Sequence, residues 1–166
     1  APLNVAQFPK LEGVLDIVYN PARTQIMLDA EKLGIPTMNG LWMLVAQAKE
    51  AAEWFTNSVI SDEKISEIYE ILRRQMENIV LIGMPGCGKS TVGKQLAEVT
   101  GKEFVDADEK ISQLAGKSIP EIFAEDGEEV FRSFETKALE ELGKRSGLVI
   151  ATGGGCVTKE RNYPLL

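Results

Sequence analysis

The sequence predicts an α/β protein, with a mostly helical segment over residues 1–77 and a parallel β-sheet with flanking helices over residues 78–166. Two observations predict the sheet. Short apolar runs at 79–82 and 148–151 are typical of buried strands, and a third strand is predicted at 103–106. Segments with helical periodicity separate these runs, and helices are the usual connection between parallel strands. The second half is therefore expected to contain three parallel strands.

The most specific pattern is the glycine-rich segment between the first of these strands and the next helix. From Gly83 to Ser90 it has Gly, four residues, Gly, Lys and Ser, which is the Walker A pattern of a P-loop. The helix after it has apolar residues at helical spacing and is expected to end at Gly101. Its expected inward positions are Val92, Leu96 and Val99. Because a strand precedes the pattern and a helix follows it, the segment is predicted to be a phosphate site.

The chemistry of this segment follows from its backbone and from two side chains. Glycines allow successive N–H groups to point into one concavity, and the N-terminus of the next helix adds further donors. Lys89 is expected to reach the β- and γ-phosphates of a nucleotide, and the Ser90 hydroxyl to ligate Mg²⁺. The alternative is a turn that merely connects strand and helix, in which this lysine and this hydroxyl would have no structural role.

Composition excludes several classes of function. The formal net charge is −7 and acidic residues outnumber basic ones in both halves, which argues against binding to nucleic acid or to a membrane surface. The chain has no histidine, so histidine bases, Ser-His-Asp triads and histidine-ligated metals are excluded. No apolar run is long enough to span a membrane. Cys87 and Cys156 match no metal-ligand spacing, and reduced thiols in a cytoplasmic protein are expected.

Two aspartates stand at the end of the predicted strand at 103–106: Asp106 is its last residue, and Asp108 comes two residues later. They lie at its carboxyl end, where open α/β sheets bind ligands. In an extended segment, residues two apart point to the same side, so both carboxylates are expected to face the phosphates. One would then serve a Mg²⁺-bound water and the other a substrate hydroxyl. The alternative is that Asp108 is simply the N-cap of a helix over 109–115.

An arginine and a glycine triplet complete the candidate site. A helix is predicted around Arg132, with inward positions Val130, Phe131, Phe134, Ala138 and Leu142. Arg132 stands off that apolar stripe, and periodicity alone makes it a solvated helix arginine. The run 153–155 follows the strand at 148–151 and is either a flexible turn or backbone that approaches a ligand closely. Its place at the carboxyl end of a strand favours the close approach.

The first 77 residues contain no nucleotide loop, acid–base pair or metal cluster. One strand is predicted over 14–19. A helix is predicted from the cap Thr24, with inward positions Ile26, Met27, Ala30 and Leu33. A second begins near Asn39, with inward positions Leu41, Leu44, Val45, Ala48, Ala52 and Phe55. A third begins near Ser61, with inward positions Ile65, Ile68, Tyr69, Leu72 and Met76.

The signals of the second half occur in a definite order: the P-loop, Asp106-Ala-Asp108, Asp126-Gly-Glu-Glu-Val-Phe-Arg132 and Gly153-Gly-Gly155. This series resembles shikimate kinases across residues 78–166. Adenylate and gluconate kinases share the loop but lack the glycine triplet together with the Phe-Arg pair. The resemblance implies a nucleoside-monophosphate-kinase-like P-loop fold with ATP and Mg²⁺ as cofactors. It also implies transfer of the γ-phosphoryl group of ATP to the 3-hydroxyl of shikimate, a step of aromatic amino-acid biosynthesis.

The same resemblance implies a role for each candidate residue. The ATP phosphates would be held by Gly86, Cys87, Gly88, Lys89, Ser90 and Thr91. Lys89 would stabilise the transferring group, while Ser90 would hold Mg²⁺ directly and Asp106 through water. Asp108 would bind shikimate hydroxyls and orient or deprotonate the attacking 3-hydroxyl. Arg132 would bind the shikimate carboxylate, a role suited to a bidentate guanidinium. Backbone contacts to the substrate would come from Gly153, Gly154 and Gly155.

Residues 8–75 resemble a different family. The segments Asp16-Ile-Val-Tyr-Asn-Pro21 and Asn39-Gly-Leu-Trp-Met-Leu-Val-Ala-Gln47-Ala48 look like the carboxyl-terminal end of shikimate dehydrogenases. In that family the residues matching Tyr19 and Gln47 help to hold shikimate; the alternative here is that both are half-buried polar residues. The catalytic Lys/Asp pair and the NADP loop of that family have no match in the chain, so no dehydrogenase activity is expected. The parent protein is expected to be a bifunctional shikimate dehydrogenase/kinase.

The chain is expected to be a fragment. It opens without methionine, and shikimate kinases continue past the position of Leu166 with further strands, an arginine-bearing lid and an adenine pocket. Such a fragment is expected to bind nucleotide weakly, to phosphorylate shikimate barely and to self-associate through an open sheet edge. Two other interpretations stay open. One is another small-molecule P-loop kinase, and the other is a non-catalytic fragment catalogued with the dehydrogenases.

Overall fold

The computed structural model describes residues 3–165. The chain divides into two compact units, the first reaching Met76 and the second starting at Glu77. Within 3–165, no helix combines the length and the apolar character needed to cross a lipid bilayer.

The first unit consists of helices and a small parallel sheet. Its strands are β1 (Val14–Leu15) and β2 (Thr37–Met38), and its helices are α1 (Gln25–Glu31), α2 (Leu41–Thr56) and α3 (Glu63–Met76), after a 3₁₀ turn at Val5–Gln7. Helices α2 and α3 pack together, and the rings of Trp42 and Tyr69 meet edge-on with centroids 5.2 Å apart. The three predicted helices are therefore present, and β2 is an element that the sequence did not predict.

Strand β1 is shorter than predicted because a side chain turns the backbone after Leu15. The Asp16 carboxylate accepts hydrogen bonds from the Val18 N–H (3.0 Å) and the Thr24 hydroxyl (2.6 Å). These bonds form a local turn of the kind that competes with strand pairing. Thr24 does stand at the N-cap of α1, but its hydroxyl bonds Asp16 rather than the helix backbone.

Several predicted inward positions of the first unit are exposed, namely Leu33, Leu44, Ala48, Phe55 and Ile68. Leu33 lies beyond the end of α1, and Phe55, 91% exposed, lies in the last turn of α2. Along α2 only Leu41 and Val45 are fully buried, and α3 has no fully buried residue. The apolar stripes of α2 and α3 are therefore wider than the surface that these two helices bury against each other.

The second unit contains a three-stranded parallel sheet in the order β3-β5-β4, which confirms the predicted parallel strands. Its strands are β3 (Ile79–Leu81), β4 (Glu103–Asp106) and β5 (Leu148–Ala151). Its helices are α4 (Lys89–Thr100), α5 (Ala107–Ala115), α6 (Ile119–Glu121) and α7 (Glu128–Leu142). A π-helical turn follows α6 at Ile122–Asp126, and 3₁₀ turns follow β5 at Cys156–Thr158 and Glu160–Leu165.

Strand β5 forms the centre of this unit. All four of its residues are buried, whereas β3 is half-buried and Ile82, predicted as its last residue, is 58% exposed. The difference arises because β5 has a hydrogen-bonded neighbour on both sides and β3 on one. One cluster of the core joins α7 to the sheet through Leu142, Leu148 and Ile150, and another joins α5 to α7 through Ile111, Ile122, Phe131 and Ala138.

Helix α4 packs on the sheet mainly through small residues, although Leu96 of the predicted apolar stripe is half-buried. Val92 and Val99 are 53% and 85% exposed, whereas Gly93 and Ala97 are buried. A methyl group on Gly93 would lie 2.5 Å from a ring carbon of Phe104, so the backbone of the helix approaches the sheet directly. The prediction was wrong for Val92 and Val99 because it ranked positions by apolar size, whereas close packing here selects small residues.

We expect Gly93→Ala to lower the free energy of unfolding by about 1–3 kcal/mol, because the added methyl overpacks a contact that has no room for it. Urea denaturation measures the change. Val92→Ala, one residue away on the exposed side of α4, is the matched control and should change stability by no more than about 0.5 kcal/mol. Equal stability of Gly93→Ala and the wild type would contradict the packing described.

Candidate active site

The P-loop connects β3 to α4 in a bent conformation. Gly86 and Gly88 have φ angles of 74° and 87°, in the left-handed region that favours glycine, and Gly83 has a φ of 150°. Helix α4 begins directly after Gly88, at Lys89. The first N–H groups of a helix have no carbonyl partner within it, and they carry the positive end of the helix dipole. The bend therefore leads into a helix N-terminus that suits an anion.

Lys89 lies over this loop. Its Nζ donates to the carbonyl oxygens of Gly83 (2.8 Å) and Met84 (2.9 Å), and the Cys87 sulfur lies 3.8 Å away. The ammonium group is thus held at the loop by backbone oxygens. The Lys89 ammonium is therefore already positioned to contact a phosphate group bound in the loop.

Asp106 links the end of β4 to the loop. The Ser90 hydroxyl donates to its Oδ2 at 2.8 Å, and its Oδ1 accepts from the Asp108 N–H at 3.0 Å. Asp106 is therefore the N-cap of α5, and the alternative in which Asp108 caps a helix over 109–115 is wrong. The expected extended geometry is wrong as well, because Asp108 lies in the first turn of the helix. Both carboxylates nevertheless lie at the end of the sheet that carries the P-loop.

Asp108 is the least satisfied polar group of the site. Among residues 3–165, its Oδ1 is a buried side-chain oxygen without a hydrogen-bond partner. Burial raises the pKa of this carboxyl, the negative charge of Asp106 raises it further, and the Lys89 ammonium opposes the rise. A carboxylate with a raised pKa and a free lone pair is suited to accept a proton from a bound hydroxyl.

We expect Asp108→Asn to stabilise the fold at pH 7 by about 0.5–2 kcal/mol, because it removes a buried negative charge whose Oδ1 has no hydrogen-bond partner. A raised pKa means that the folded state binds more protons than the unfolded state above the ordinary value of 3.8. The wild type therefore loses stability as pH rises through this window, whereas the asparagine variant does not. Thermal unfolding from pH 3 to 8 measures the difference in stability between Asp108→Asn and the wild type. This difference should approach zero towards pH 3.

The exposed neighbour Glu109 gives the control for this prediction. Glu109→Gln removes a carboxyl from the same helical turn without removing a buried charge. Glu109→Gln should not stabilise the fold, because a carboxylate in the first turn of α5 is stabilised by the positive end of the helix dipole. Stabilisation of the same size as in Asp108→Asn would contradict the burial argument.

Arg132 is not the solvated helix arginine that periodicity suggested, because only 15% of its side chain is exposed. Its Nη1 lies 3.2 Å from Glu135 Oε1, and its Nη2 lies 3.1 Å from Glu128 Oε1. The guanidinium carbon also lies 5.3 Å from the centre of the Phe131 ring. These contacts hold the guanidinium in a defined orientation.

Glu135 is a site residue that the sequence analysis missed. It is 2% exposed, and burial raises its pKa, an effect that Arg132 opposes and that the charge of Asp108 reinforces. The available signal was its position, since Glu135 falls four residues after Phe131 and three before Ala138, on the apolar stripe of α7. An acidic residue on a buried stripe predicts a partner, and Arg132 is that partner.

The three glycines of 153–155 each approach a different part of the site. A methyl group on Gly153 would lie 3.0 Å from Asp108 Oδ1. A methyl group on Gly154 would lie 2.4 Å from Pro85 Cδ, and one on Gly155 would lie 2.4 Å from Arg132 Nη1. All three lack the left-handed φ that would itself require glycine. The triplet is therefore glycine because other groups lie against its backbone, which favours the close-approach interpretation over the flexible turn.

The carboxyl ends of the three strands bring these groups to one edge of the sheet. Thr152, directly after β5, donates both its N–H (3.1 Å) and its hydroxyl (2.9 Å) to the Leu81 carbonyl at the end of β3. Strand β4 ends at Asp106 on the other side of β5. Of the residues predicted from the sequence, the structure brings the following to this edge: Lys89, Ser90, Asp106, Asp108, Arg132, Gly153, Gly154 and Gly155.

The oxygen atoms of Ser90 and Asp106 suit a Mg²⁺ ion whose remaining ligands are water and substrate phosphates. Over residues 3–165, no group of three or more cysteine or carboxylate side chains could enclose a metal ion. Mg²⁺ is commonly held by one or two protein groups together with water and substrate phosphates. The hydrogen-bonded hydroxyl and carboxylate of Ser90 and Asp106 are such a pair.

The second unit is similar to known proteins over most of its length. Residues 85–166 match the family model described as shikimate kinase. A shikimate kinase of Synechococcus sp. (strain RCC307) is 55% identical over 91 residues, which is 55% of this chain and 47% of the relative. That of Parasynechococcus marenigrum (strain WH8102) is 53% identical over 89 residues, with 54% and 47% of the two chains covered. The chain spans about half the length of the curated relatives it matches.

Solved structures agree with this match. A shikimate kinase from Acinetobacter baumannii in complex with shikimate has a TM-score of 0.54 and 45% identity, covering 57% of this chain and 53% of its own. The shikimate kinase of Aquifex aeolicus has a TM-score of 0.51 and 39% identity, covering 54% and 56%. The fold of the second unit is therefore that of a P-loop kinase, and residues 85–166 are similar in sequence to shikimate kinases.

Proposed function

We propose that the second unit binds ATP and shikimate and transfers the γ-phosphoryl group of ATP to the 3-hydroxyl of shikimate. One observation carries the proposal: the P-loop, Asp108 and Arg132 all lie against the backbone of 153–155 at one edge of the sheet. A phosphate cradle beside a carboxylate and a guanidinium suits an acceptor that has both a hydroxyl and a carboxylate group. The match to shikimate kinases over residues 85–166 supports the same acceptor.

The loop and its lysine would hold the donor. The amides from Gly86 to Thr91 surround the phosphates, and Lys89 offsets the negative charge of the group in transfer. Ser90 and Asp106 would hold Mg²⁺, which when bound neutralises phosphate charge. Phosphoryl transfer needs little covalent help from a protein, so the contribution of these residues is to position and stabilise charge.

The acceptor side would be formed by Arg132 and Asp108. The Arg132 guanidinium binds the carboxylate of shikimate, and the pairing with Glu135 holds it in place. The Asp108 carboxylate, with its free and buried Oδ1, accepts the proton of the attacking 3-hydroxyl. The hydroxyl oxygen then bonds to the γ-phosphorus as the bond to the ADP oxygen breaks.

The direct test is transfer of the label from [γ-³²P]ATP with Mg²⁺ to shikimate by this chain, with the product assigned by ³¹P NMR. Slow transfer of the label to the 3-hydroxyl of shikimate is the expected result. The methyl ester of shikimate keeps the hydroxyl and removes the carboxylate, so it should be a poor acceptor. Equal labelling of the ester would instead indicate a P-loop kinase for another class of acceptor. Failure of Mg²⁺-ADP to raise the melting temperature would overturn the proposal.

For the first unit we propose an origin in the carboxyl-terminal end of a shikimate dehydrogenase. The resemblance of residues 8–75 to the carboxyl-terminal end of shikimate dehydrogenases supports this origin. The first compact unit ends at Met76, next to the end of that resemblance. Tyr19 is 41% exposed and Gln47 is exposed, so both are accessible to a ligand. Reduction of NADP⁺ by shikimate in the presence of this chain would contradict the expected lack of dehydrogenase activity.

We also propose that the protein acts in the cytoplasm and that it self-associates through its sheet. The free thiols Cys87 and Cys156 suit a reducing compartment. Strands β3 and β4 lie at the edges of the described sheet, and an unpaired strand edge can pair with another chain. Sedimentation over a range of concentrations tests self-association, and a monomer throughout that range would overturn it.

A further inference from the structure

Pro85 of the P-loop lies against Gly154 of the glycine triplet. A methyl group on Gly154 would lie 2.4 Å from Cδ, 2.7 Å from Cγ and 2.9 Å from N of Pro85. The proline ring therefore rests on the bare Cα of Gly154. The backbone of Gly154 is compatible with other residues, because its φ lies outside the left-handed region.

On the triplet side, this contact is fixed by its neighbours. Gly153 lies against Asp108, and Gly155 lies against Arg132. The Gly153 carbonyl accepts from the Cys156 N–H (3.3 Å), and the Cys156 carbonyl accepts from the side chain of Asn162 (2.9 Å), which is fully buried. The position of Gly154 therefore depends on the positions of Asp108 and Arg132, the residues proposed to bind shikimate.

On the loop side, the contact is next to the lysine anchor. Lys89 donates to the carbonyls of Gly83 and Met84, the two residues directly before Pro85. A shift of the Pro85 ring therefore moves the peptide groups that hold the Lys89 ammonium. The contact joins the residues expected to bind the acceptor to the residues expected to bind the donor.

We propose that Pro85 is a positioning residue, which sets the P-loop relative to Asp108 and Arg132 through its contact with Gly154. The inference rests on the proposed function and adds to it a mechanical link between the two substrate sites. Occupation of the acceptor site then changes nucleotide affinity through this contact. Since a misplacement of about 1 Å can cost on the order of 10²-fold in rate, a small shift of the ring is sufficient to matter.

The test is a double-mutant cycle of Gly154→Ala and Pro85→Ala, read out as the affinity for Mg²⁺-ADP with and without shikimate, by calorimetry. Gly154→Ala pushes the ring away and is expected to weaken nucleotide binding about 10-fold or more. Pro85→Ala removes the two ring carbons nearest the added methyl but keeps the backbone nitrogen at 2.9 Å, so the double variant should recover part of that loss. In Pro85→Ala alone, the affinity for Mg²⁺-ADP should not change when shikimate is added, whereas in the wild type it should.

Gly155→Ala is the matched control. It adds the same methyl one residue away, against Arg132 instead of Pro85. Pro85→Ala should not restore any affinity for Mg²⁺-ADP that Gly155→Ala loses. Thermal unfolding of every variant separates affinity from stability, since a purely structural role would lower the melting temperature and leave the affinity of the folded protein unchanged.

Each outcome decides the inference. Rescue of Gly154→Ala but not of Gly155→Ala by Pro85→Ala supports it. Additive losses in the cycle, or a change in stability alone, overturn it and leave the proposed function in place, provided that the wild type binds Mg²⁺-ADP. A wild-type chain without affinity for Mg²⁺-ADP would overturn the inference and the proposed function together.

Discussion

Replacing Lys89 with methionine is expected to reduce phosphoryl transfer by about 10²–10³-fold, the usual cost of removing one group that stabilises transition-state charge. Methionine keeps the length and the apolar part of the side chain but has no charge to set against the phosphates. The wild-type ammonium is already held at the loop by the carbonyls of Gly83 and Met84, so little reorganisation is needed when the donor binds. The loss should appear both in nucleotide affinity and in the rate of transfer.

Two measurements test this expectation. At a Mg²⁺-ADP concentration of about 100 times Kd, the wild type should gain about 2.7 kcal/mol of stability, and Lys89→Met should gain almost none. Lys94→Met is the control, because it removes a positive charge from the exposed side of the same helix, where Lys94 lies 5.7 Å from the Phe104 ring. Normal nucleotide stabilisation of Lys89→Met would show that the loop does not hold phosphate.

Arg132→Ala is expected to weaken shikimate binding by about 2–5 kcal/mol, roughly 30-fold to several thousand-fold, because it removes one partner of a buried charge pair. The loss has two parts. The shikimate carboxylate loses its guanidinium, and Glu135, 2% exposed, loses the positive charge that opposes the rise of its pKa. Arg132→Lys should be intermediate, because lysine keeps the charge but not the planar two-pronged donor.

The two glutamates that contact Arg132 make the test specific. Glu128 is 64% exposed, so Glu128→Gln removes only a surface ion pair and should cost no more than about 1 kcal/mol. Glu135→Gln in the Arg132→Ala background removes the unpaired buried charge, so it should recover stability without recovering shikimate affinity. Equal affinity of Arg132→Ala for shikimate and for its methyl ester is the specific expectation, and a preserved preference for the acid would contradict the assigned role.

Several elements of the second unit were predictable because their cause is local. The P-loop needs glycines at its bends and a lysine at the helix start, and all of these are adjacent in the chain. Strand β5 is a continuous apolar run, as the central strand of a covered parallel sheet must be. The capping box at Ser118 and Glu121 and the stop at Gly127 also follow from neighbouring residues.

The failures have a common cause, which is contact between residues distant in sequence. Gly93 is buried because Phe104 lies against it, and the exposed Val92 gives no hint of that. Arg132 is held by a buried glutamate, whereas periodicity registers only that it lies off the apolar stripe. In the first unit the stripe of α2 suggested a broad buried face, but the extent of burial depends on how much of it α3 covers.

The sequence alone determined which chemical groups are available at the candidate site: a lysine and a hydroxyl after a glycine-rich turn, two aspartates at a strand end, and an arginine that follows a phenylalanine. Only the tertiary structure decided which atoms of the site meet. The backbone of 153–155 lies against Asp108, Pro85 and Arg132 because three parallel strands end at one edge. Residue type follows from the sequence, whereas distance depends on packing between segments that the chain order keeps apart.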